Sequence, residues 1–223
     1  NADAVQTVRV ADEKILGSAT LTKMDEATKA KKLPDAQFNL YKNDGSLVKK
    51  GLTTDGNGTI TVTDLEWGSY YFEETKAPAG YGISRNKVRF SVNEMNCTTT
   101  QALTCYDPAE QVQITIRKEI NEWYEPFGNA TFLFEIAGTD VNGTAHIWNK
   151  SITLVNGATT GSTILSGIPA GTYTIRERGT ERYKLDSVTA GANVTVSGDT
   201  AAAVLTSARE AEGTFTNSIS QYE

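Results

Sequence analysis

Hydrophobic and polar residues alternate along most of the chain in short runs. This period of two is typical of β-strands with one buried face, because successive side chains point to opposite sides of a strand. Clear examples are residues 17–25, 36–41 and 131–136, and turn-forming Asn, Asp and Gly residues separate such runs, as at 43–46 and 55–58. Helical periodicity is scarce. The sequence therefore predicts an all-β fold made of many short strands.

Two of these runs place a glutamate in line with apolar side chains. Tyr70 and Phe72 share one strand face with Glu74, whereas Glu73 points to the opposite face. The same pattern, Gly-x-Tyr-x-apolar-x-Glu, ends at Glu177 in the second half of the chain. An unpaired buried carboxylate is costly, so something must neutralise each glutamate or make use of it. Two such glutamates in register indicate two copies of one domain.

Each half of the chain also opens with a strand whose apolar face ends in a lysine. Leu21 precedes Lys23 on one face, and Ile116 precedes Lys118 in the same way. A lone lysine at a strand end can extend its amine to water. Here, however, each half offers an early lysine, a late glutamate and an acid or amide in its final strand.

The length of 223 residues suits two modest domains. We expect residues 1–16 to be a leader or the end of a preceding domain, 17–109 to form the first domain and 110–223 to form the second. The linker near residues 108–111 is very short, which predicts an end-to-end, rather stiff arrangement. Because the chain starts inside a strand-like segment, we expect it to be a piece of a longer protein.

Composition narrows the classes of function. The net charge of −6 argues against a nucleic-acid partner or an anionic membrane surface. The single histidine, His146, and the two cysteines have no zinc-ligand spacing, and no apolar run is long enough to span a bilayer. We therefore expect no metal, no cofactor, no nucleic-acid partner and no membrane contact within this chain.

Together these features resemble the B-type repeats of Gram-positive collagen adhesins and sortase-assembled pilins, known as CnaB or SpaA-type domains. The segments that carry the resemblance are Leu21-Thr22-Lys23-Met24-Asp25, Phe38-x-Leu40, Thr54-Asp55-x-x-Gly58-x-Ile60, Leu65-x-x-Gly68-x-Tyr70-x-Phe72-x-Glu74 and Ala77-Pro78-Ala79-Gly80-Tyr81. They cover most of residues 17–107, whereas the match over 111–218 is looser because the last motif is reduced to Tyr183. The resemblance implies two tandem immunoglobulin-like, prealbumin-like β-sandwiches.

The resemblance also implies a covalent cross-link in each domain. In this family, a lysine of the first strand and an Asn or Asp of the last strand form a spontaneous intramolecular isopeptide bond, assisted by the glutamate. The implied sets are Lys23, Asp107 and Glu74 in the first domain, and Lys118, Asn217 and Glu177 in the second.

The acceptor in the first domain departs from the commoner asparagine. Asp107 is our choice because it lies at a strand end directly before Pro108. Asn93 and Asn96 remain alternative acceptors.

Physical chemistry supports such a reaction. An apolar core disfavours the charged form of an amine, so a neutral, nucleophilic lysine becomes accessible. The same surroundings favour a neutral carboxylic acid, which can polarise the target carbonyl group and pass protons to the leaving group. Holding the partners in contact makes amide formation feasible. The leaving group is ammonia for Asn217 and water for Asp107.

The two cysteines, Cys97 and Cys105, flank a segment suited to a hairpin. In an exported protein they would be oxidised, which predicts a disulfide between them. Two separate thiols are the alternative.

The expected function is mechanical. The resemblance implies an extracellular, cell-wall-anchored stalk segment that joins neighbouring pilin subunits, or domains of the same surface protein, through sortase. It is not a turnover enzyme, because each cross-link would form once and the protein itself would be the substrate. The alternative is an adhesin module that binds a host matrix protein or a glycan, for which Trp67, Trp123 and Trp148 are candidate contact residues.

Overall fold

A computed structural model describes residues 14–220 of the chain, so residues 1–13 of the expected leader lie outside the described part. The described residues group into two compact units. The first comprises residues 14–24, 32–76 and 84–106, and the second comprises 25–31, 77–83 and 107–220.

The first sandwich consists of two sheets around one core. Its strands are β1 (Leu16–Asp25), β2 (Gln37–Lys42), β3 (Leu47–Thr53), β4 (Thr59–Glu66), β5 (Gly68–Lys76), β6 (Val88–Val92) and β7 (Thr100–Asp107). One sheet has the order β4-β1-β7 and the other has the order β3-β2-β5-β6. Leu21 and Val62 from the first sheet share a buried cluster with Phe38 and Phe72 from the second.

The second sandwich repeats this plan with two more strands. Its elements are β8 (Gln111–Ile120), a short 3-10 helix (Glu125–Phe127), β9 (Ala130–Asp140), β10 (Ala145–Leu154), β11 (Thr160–Pro169), β12 (Gly171–Arg178), β13 (Tyr183–Ala190), β14 (Val194–Ser197), β15 (Thr200–Val204) and β16 (Glu210–Ile219). The sheet orders are β11-β8-β16-β13 and β10-β9-β12-β15-β14. Ile116 and Phe215 of one sheet pack with Phe134 and Ile175 of the other.

Corresponding strands occupy corresponding places in the two sandwiches. The opening strands β1 and β8 lie inside their sheets, next to the closing strands β7 and β16, while the glutamate strands β5 and β12 belong to the opposite sheets. Alternate residues of each opening strand are buried, as the sequence pattern indicates. The predicted all-β fold of two tandem immunoglobulin-like sandwiches is confirmed.

Strand β13 lacks the alternation of buried and exposed side chains that marks the other long strands of the second sandwich. Among its eight residues only Tyr183 is buried, and the remaining side chains are half-buried or exposed. Its place in the sheet depends on pairing with β16, for example Tyr183 with Ile219, rather than on a buried face of its own.

Candidate functional site

The second sandwich brings three ionisable or amide side chains together in its core. β8 directs Lys118 inwards after Ile116, because side chains alternate along the strand. β16 runs parallel to β8 and directs Asn217 to the same side, two residues beyond Phe215, the register partner of Lys118. Glu177 comes from β12 in the facing sheet. Lys118 and Asn217 are fully buried, and the Glu177 side chain is 2% exposed.

Direct contacts join these three side chains. The Nζ of Lys118 donates hydrogen bonds to Oδ1 of Asn217 and, at 2.9 Å, to the carbonyl oxygen of Phe215. The same Nζ lies 3.2 Å from Oε2 of Glu177. The Nδ2 of Asn217 donates a hydrogen bond of 2.6 Å to Oε1 of Glu177. The amine therefore faces the carbonyl side of the amide, and the carboxyl group holds the nitrogen side.

Burial changes the acid–base behaviour of the amine. Desolvation lowers the pKa of Lys118 to about 8, and the nearby charge of Glu177 opposes part of that shift. A far larger fraction of this amine is neutral near physiological pH than of an exposed lysine. The site thus holds a nucleophile against an amide carbonyl group, with a carboxyl group touching both.

The first sandwich places a matching lysine and glutamate in its core. The Nζ of Lys23 donates a hydrogen bond of 2.9 Å to Oε2 of Glu74, and both side chains are fully buried. The same Oε2 accepts a hydrogen bond of 2.8 Å from the backbone N–H of Ser84. Glu73, by contrast, is partly exposed and lies 3.8 Å from Lys87.

The predicted acceptor Asp107 is fully buried at the end of β7, the strand beside β1. Its carbonyl oxygen accepts a backbone hydrogen bond of 2.9 Å from Glu26. In the second sandwich, the carbonyl oxygen of Asn217 accepts the equivalent bond, also 2.9 Å, from Asn121. Both donors lie three residues after the lysine, so Asp107 and Asn217 occupy equivalent positions in the two sheets.

The alternative acceptors Asn93 and Asn96 belong to the turn between β6 and β7. Oδ1 of Asn96 accepts a 2.9 Å hydrogen bond from the backbone N–H of Asn93, and its Nδ2 donates to the carbonyl oxygen of Ser91 at 2.8 Å. Oδ1 of Asn93 accepts from the N–H of Met95 at 3.0 Å. These local bonds fix the turn.

A tight glycine turn holds the backbone of Lys23. Gly58 has a φ of +71° and accepts a 2.8 Å hydrogen bond from the N–H of Lys23. A Cβ at this position would lie 2.9 Å from the backbone nitrogen of Leu33 and 3.0 Å from the carbonyl oxygen of Lys23. Glycine is needed both for the positive φ and for this close approach.

An aromatic ring lies beneath each lysine. The Nζ of Lys23 is 5.3 Å from the ring centre of Phe38, and that of Lys118 is 4.5 Å from the ring centre of Phe132. The two rings do not occupy equivalent positions in their strands. Phe38 pairs with Glu74 across the sheet, whereas the residue that pairs with Glu177 is Phe134, two residues after Phe132.

The predicted disulfide between Cys97 and Cys105 is not formed in the structure. Cys105 is buried and its Sγ lies 3.3 Å from the Nζ of Lys23. Cys97 is half-buried, and its Sγ lies 3.6 Å from the carbonyl oxygen of Glu94. The two sulfur atoms thus contact different groups, one at the lysine site and one in the turn after β6.

Within residues 14–220, no group of three or more His, Cys, Asp and Glu side chains is arranged to hold a metal ion. None of the helices in this part of the chain is long and apolar enough to cross a membrane.

The fold and the paired sites define a class, tandem prealbumin-like β-sandwich domains. Residues 17–106, which include most of the first sandwich, match the family model of the SpaA prealbumin-like fold domain. Residues 114–220 match the model of a domain of unknown function, DUF5979. The predicted resemblance to tandem CnaB or SpaA-type domains is confirmed, and the separate second model agrees with the looser motif there. No curated protein matches the chain.

Several solved structures are similar to this chain, and the first of those described below shows the same fold. The Bacillus anthracis TIE protein is 22% identical with a TM-score of 0.54, covering 92% of this chain and 34% of that one. A group B streptococcus pilus 2b backbone protein is 31% identical with a TM-score of 0.37, and the match covers 49% of this chain and 45% of that one. BcpA, the major pilin subunit of Bacillus cereus, is 17% identical with a TM-score of 0.43, and the match covers 92% of this chain and 100% of that one. The chain thus spans less than half the length of the TIE protein and of the pilus 2b backbone protein.

Proposed function

We propose that the chain is a structural segment of a Gram-positive cell-surface pilin or adhesin, and that an intramolecular isopeptide bond locks each sandwich. The observation that carries this proposal is the contact of Lys118, Asn217 and Glu177 in a dry core. The match of residues 17–106 to the SpaA family model supports the same function.

In the second sandwich, the neutral amine of Lys118 attacks Cγ of Asn217. The new N–Cγ bond replaces the Cγ–Nδ2 bond, and Nδ2 leaves as ammonia. Glu177 receives a proton from the attacking nitrogen and delivers one to Nδ2, to which it is already hydrogen-bonded. The carboxyl group ends in its starting protonation state, so it acts as a catalytic residue and is not consumed.

In the first sandwich, the amine of Lys23 attacks Cγ of Asp107, and the acceptor hydroxyl leaves as water. Glu74 takes the role of Glu177, since it contacts the amine in the same manner. The equivalent backbone bonds to Asp107 and Asn217 favour Asp107 as the acceptor. The side chains of Asn93 and Asn96, in contrast, are engaged in their own turn.

Each bond would join the opening strand of a sandwich to its closing strand. In the second sandwich these are the parallel neighbours β8 and β16. Tension on the chain ends would then cross the domain through a covalent bond rather than through a ladder of hydrogen bonds. Such a device suits a stalk segment that is anchored to the cell wall and joined by sortase to neighbouring subunits.

Intact mass measurement tests the proposal. The reduced protein should be lighter than its sequence mass by about 17 Da for the Asn217 bond and about 18 Da for the Asp107 bond, the masses of the expelled ammonia and water. Proteolytic mapping should give two branched peptides, one joining Lys23 to Asp107 and one joining Lys118 to Asn217.

Lysine variants assign each loss to its site. Lys118→Ala should abolish only the loss of about 17 Da, and Lys23→Ala should abolish only the loss of about 18 Da. The control variant Lys49→Ala, at an exposed position of β3, should retain both losses. A wild-type protein with its full sequence mass would disprove the cross-links, and the sandwiches would then be held by non-covalent packing alone.

A further inference from the structure

We propose that Asp25 is a positioning residue of the first site, which shares one proton with Asp107 and thereby keeps the acceptor carboxyl group in its neutral, reactive form. This inference rests on the proposed cross-linking function and deepens it. It also explains how one chain can use two different acceptors, an acid in the first sandwich and an amide in the second.

The strand register puts the two acids side by side. In a parallel ladder, the residue whose carbonyl oxygen accepts from position i+1 lies opposite position i. The N–H of Glu26 donates to the carbonyl oxygen of Asp107 at 2.9 Å, so Asp107 lies opposite Asp25. Both side chains are fully buried and therefore point to the interior. In the second sandwich the residue opposite Asn217 is Ile120.

Only half of the Asp25 carboxyl group is used by the local turn. Oδ1 accepts a hydrogen bond of 2.6 Å from the backbone N–H of Thr28. Oδ2 is buried and has no hydrogen-bond partner among residues 14–220. Buried carboxyl oxygens are rarely left in that state, because the desolvation cost is not offset. A proton shared with the neighbouring acid would satisfy Oδ2, whereas a turn-capping role alone leaves it unexplained.

The surroundings of the pair are weakly solvated and mostly acidic. Burial raises the pKa of Tyr81, and the charges of Asp25, Asp140 and Asp107 raise it further. Lys31 lies over the Tyr81 ring, 5.8 Å from its centre. On the strand of Asp25 itself, the ionisable neighbour on the same face is Lys23, two residues earlier.

The acceptor chemistry explains why this arrangement matters. Asn217 is neutral at every relevant pH, but an ionised Asp107 would have to expel an oxide ion, which is not a leaving group. Two carboxyl groups held together in a dry site cannot both ionise, so they retain one proton between them. Asp107 in the acid form loses its hydroxyl group together with one amine proton as water, and Asp25 is left as the carboxylate. Protons and charge therefore balance.

The test compares Asp25→Asn in two acceptor backgrounds. Asparagine keeps an oxygen for the Thr28 N–H but cannot supply the shared proton. Chains from cell-free synthesis are quenched at intervals in acidic denaturant, and the mass losses are followed over a series of pH values. With Asp107 as acceptor, we expect the loss of about 18 Da to slow roughly a hundredfold, most strongly at high pH. With Asp107→Asn, which needs no proton to react, Asp25→Asn should leave the rate of bond formation at Lys23 unchanged. This rate is followed on the branched peptide that contains Lys23, because both sites lose about 17 Da in this background.

The outcomes separate this inference from the proposed function. The bond between Lys118 and Asn217 forms in every variant and serves as an internal reference. If the Asp25→Asn chain forms the Lys23–Asp107 bond at the wild-type rate and pH dependence, Asp25 has no such role and the cross-link itself stands. If Asp25→Asn slows both acceptors equally, Asp25 acts only on folding, and the inference is overturned. Absence of the loss of about 18 Da from the wild type would refute the first cross-link instead.

Discussion

The amide nitrogen of Asn217 and the carboxyl group of Glu177 are joined by a hydrogen bond of 2.6 Å, although they come from opposite sheets of the sandwich. The bond orients the amide so that its oxygen faces Lys118. It also puts the carboxyl group on the atom that would leave. A single side chain thereby touches both the attacking and the departing nitrogen.

This relationship predicts the effect of Glu177→Gln. The glutamine has the same shape but cannot accept and return a proton, so formation of the Lys118–Asn217 bond should slow by a factor of roughly a hundred or more. Intact mass after short expression would then show chains without the loss of about 17 Da. Glu181→Gln, at an exposed position nearby, is the matched control and should react fully. Complete reaction of Glu177→Gln would remove the carboxyl group from the mechanism.

The adjacent glutamates of β5 give a sharper comparison. Glu74 contacts the Lys23 amine at 2.9 Å, whereas Glu73 points outwards to Lys87. Glu74→Gln should therefore suppress the Lys23–Asp107 bond, and Glu73→Gln should have no effect on the mass. Peptide mapping of the two variants checks this, because the branched peptide containing Lys23 should be missing only from the first. The reverse result would show that the strand alternation had been misassigned.

Much of this geometry could be predicted from the sequence because strand alternation fixes which side chains point inwards. The alternation predicted that Lys23, Glu74, Lys118 and Glu177 lie on buried faces, and the structure buries all of them. Turn residues such as Gly58 could also be predicted, because few residues other than glycine adopt a positive φ.

Other features depend on pairing between distant strands and could not be predicted in this way. Asp25 ends the alternating run of residues 17–25 and is the last buried residue of β1. Its placement opposite Asp107 depends on the register between the first and last strands, which no local pattern specifies. The spacing of Cys97 and Cys105 likewise suggested a hairpin disulfide, but spacing does not reveal that Cys105 points towards Lys23.

A cross-link between distant positions should stabilise the second sandwich. Lys118 and Asn217 are separated by 99 positions, and closing a loop of this size stabilises a fold by about 4 to 5 kcal/mol in the chain-entropy model. Unreacted Glu177→Gln protein should therefore unfold with a free energy lower than that of the reacted wild type by an amount on the order of 4 kcal/mol. Denaturant titration measures the difference, with Lys49→Ala as the control. Equal stabilities would contradict a covalent link.

The lowered pKa of Lys118 gives a prediction for a chain that cannot react, Asn217→Ala. Because this pKa is about 8 in the folded protein and 10.5 in the reference state, the unfolded chain binds more protons between these values. The free energy of unfolding should therefore rise as the pH increases from about 8 to about 10.5, by an amount on the order of 3 kcal/mol. Denaturant titrations across this range measure it, and the matched control is Asn217→Ala with Lys118→Met, in which the rise should disappear. The reacted wild type has no free amine at this position, so its free energy of unfolding should also lack this rise. An identical pH dependence in all three proteins would mean that the buried amine keeps an ordinary pKa and is not prepared for attack.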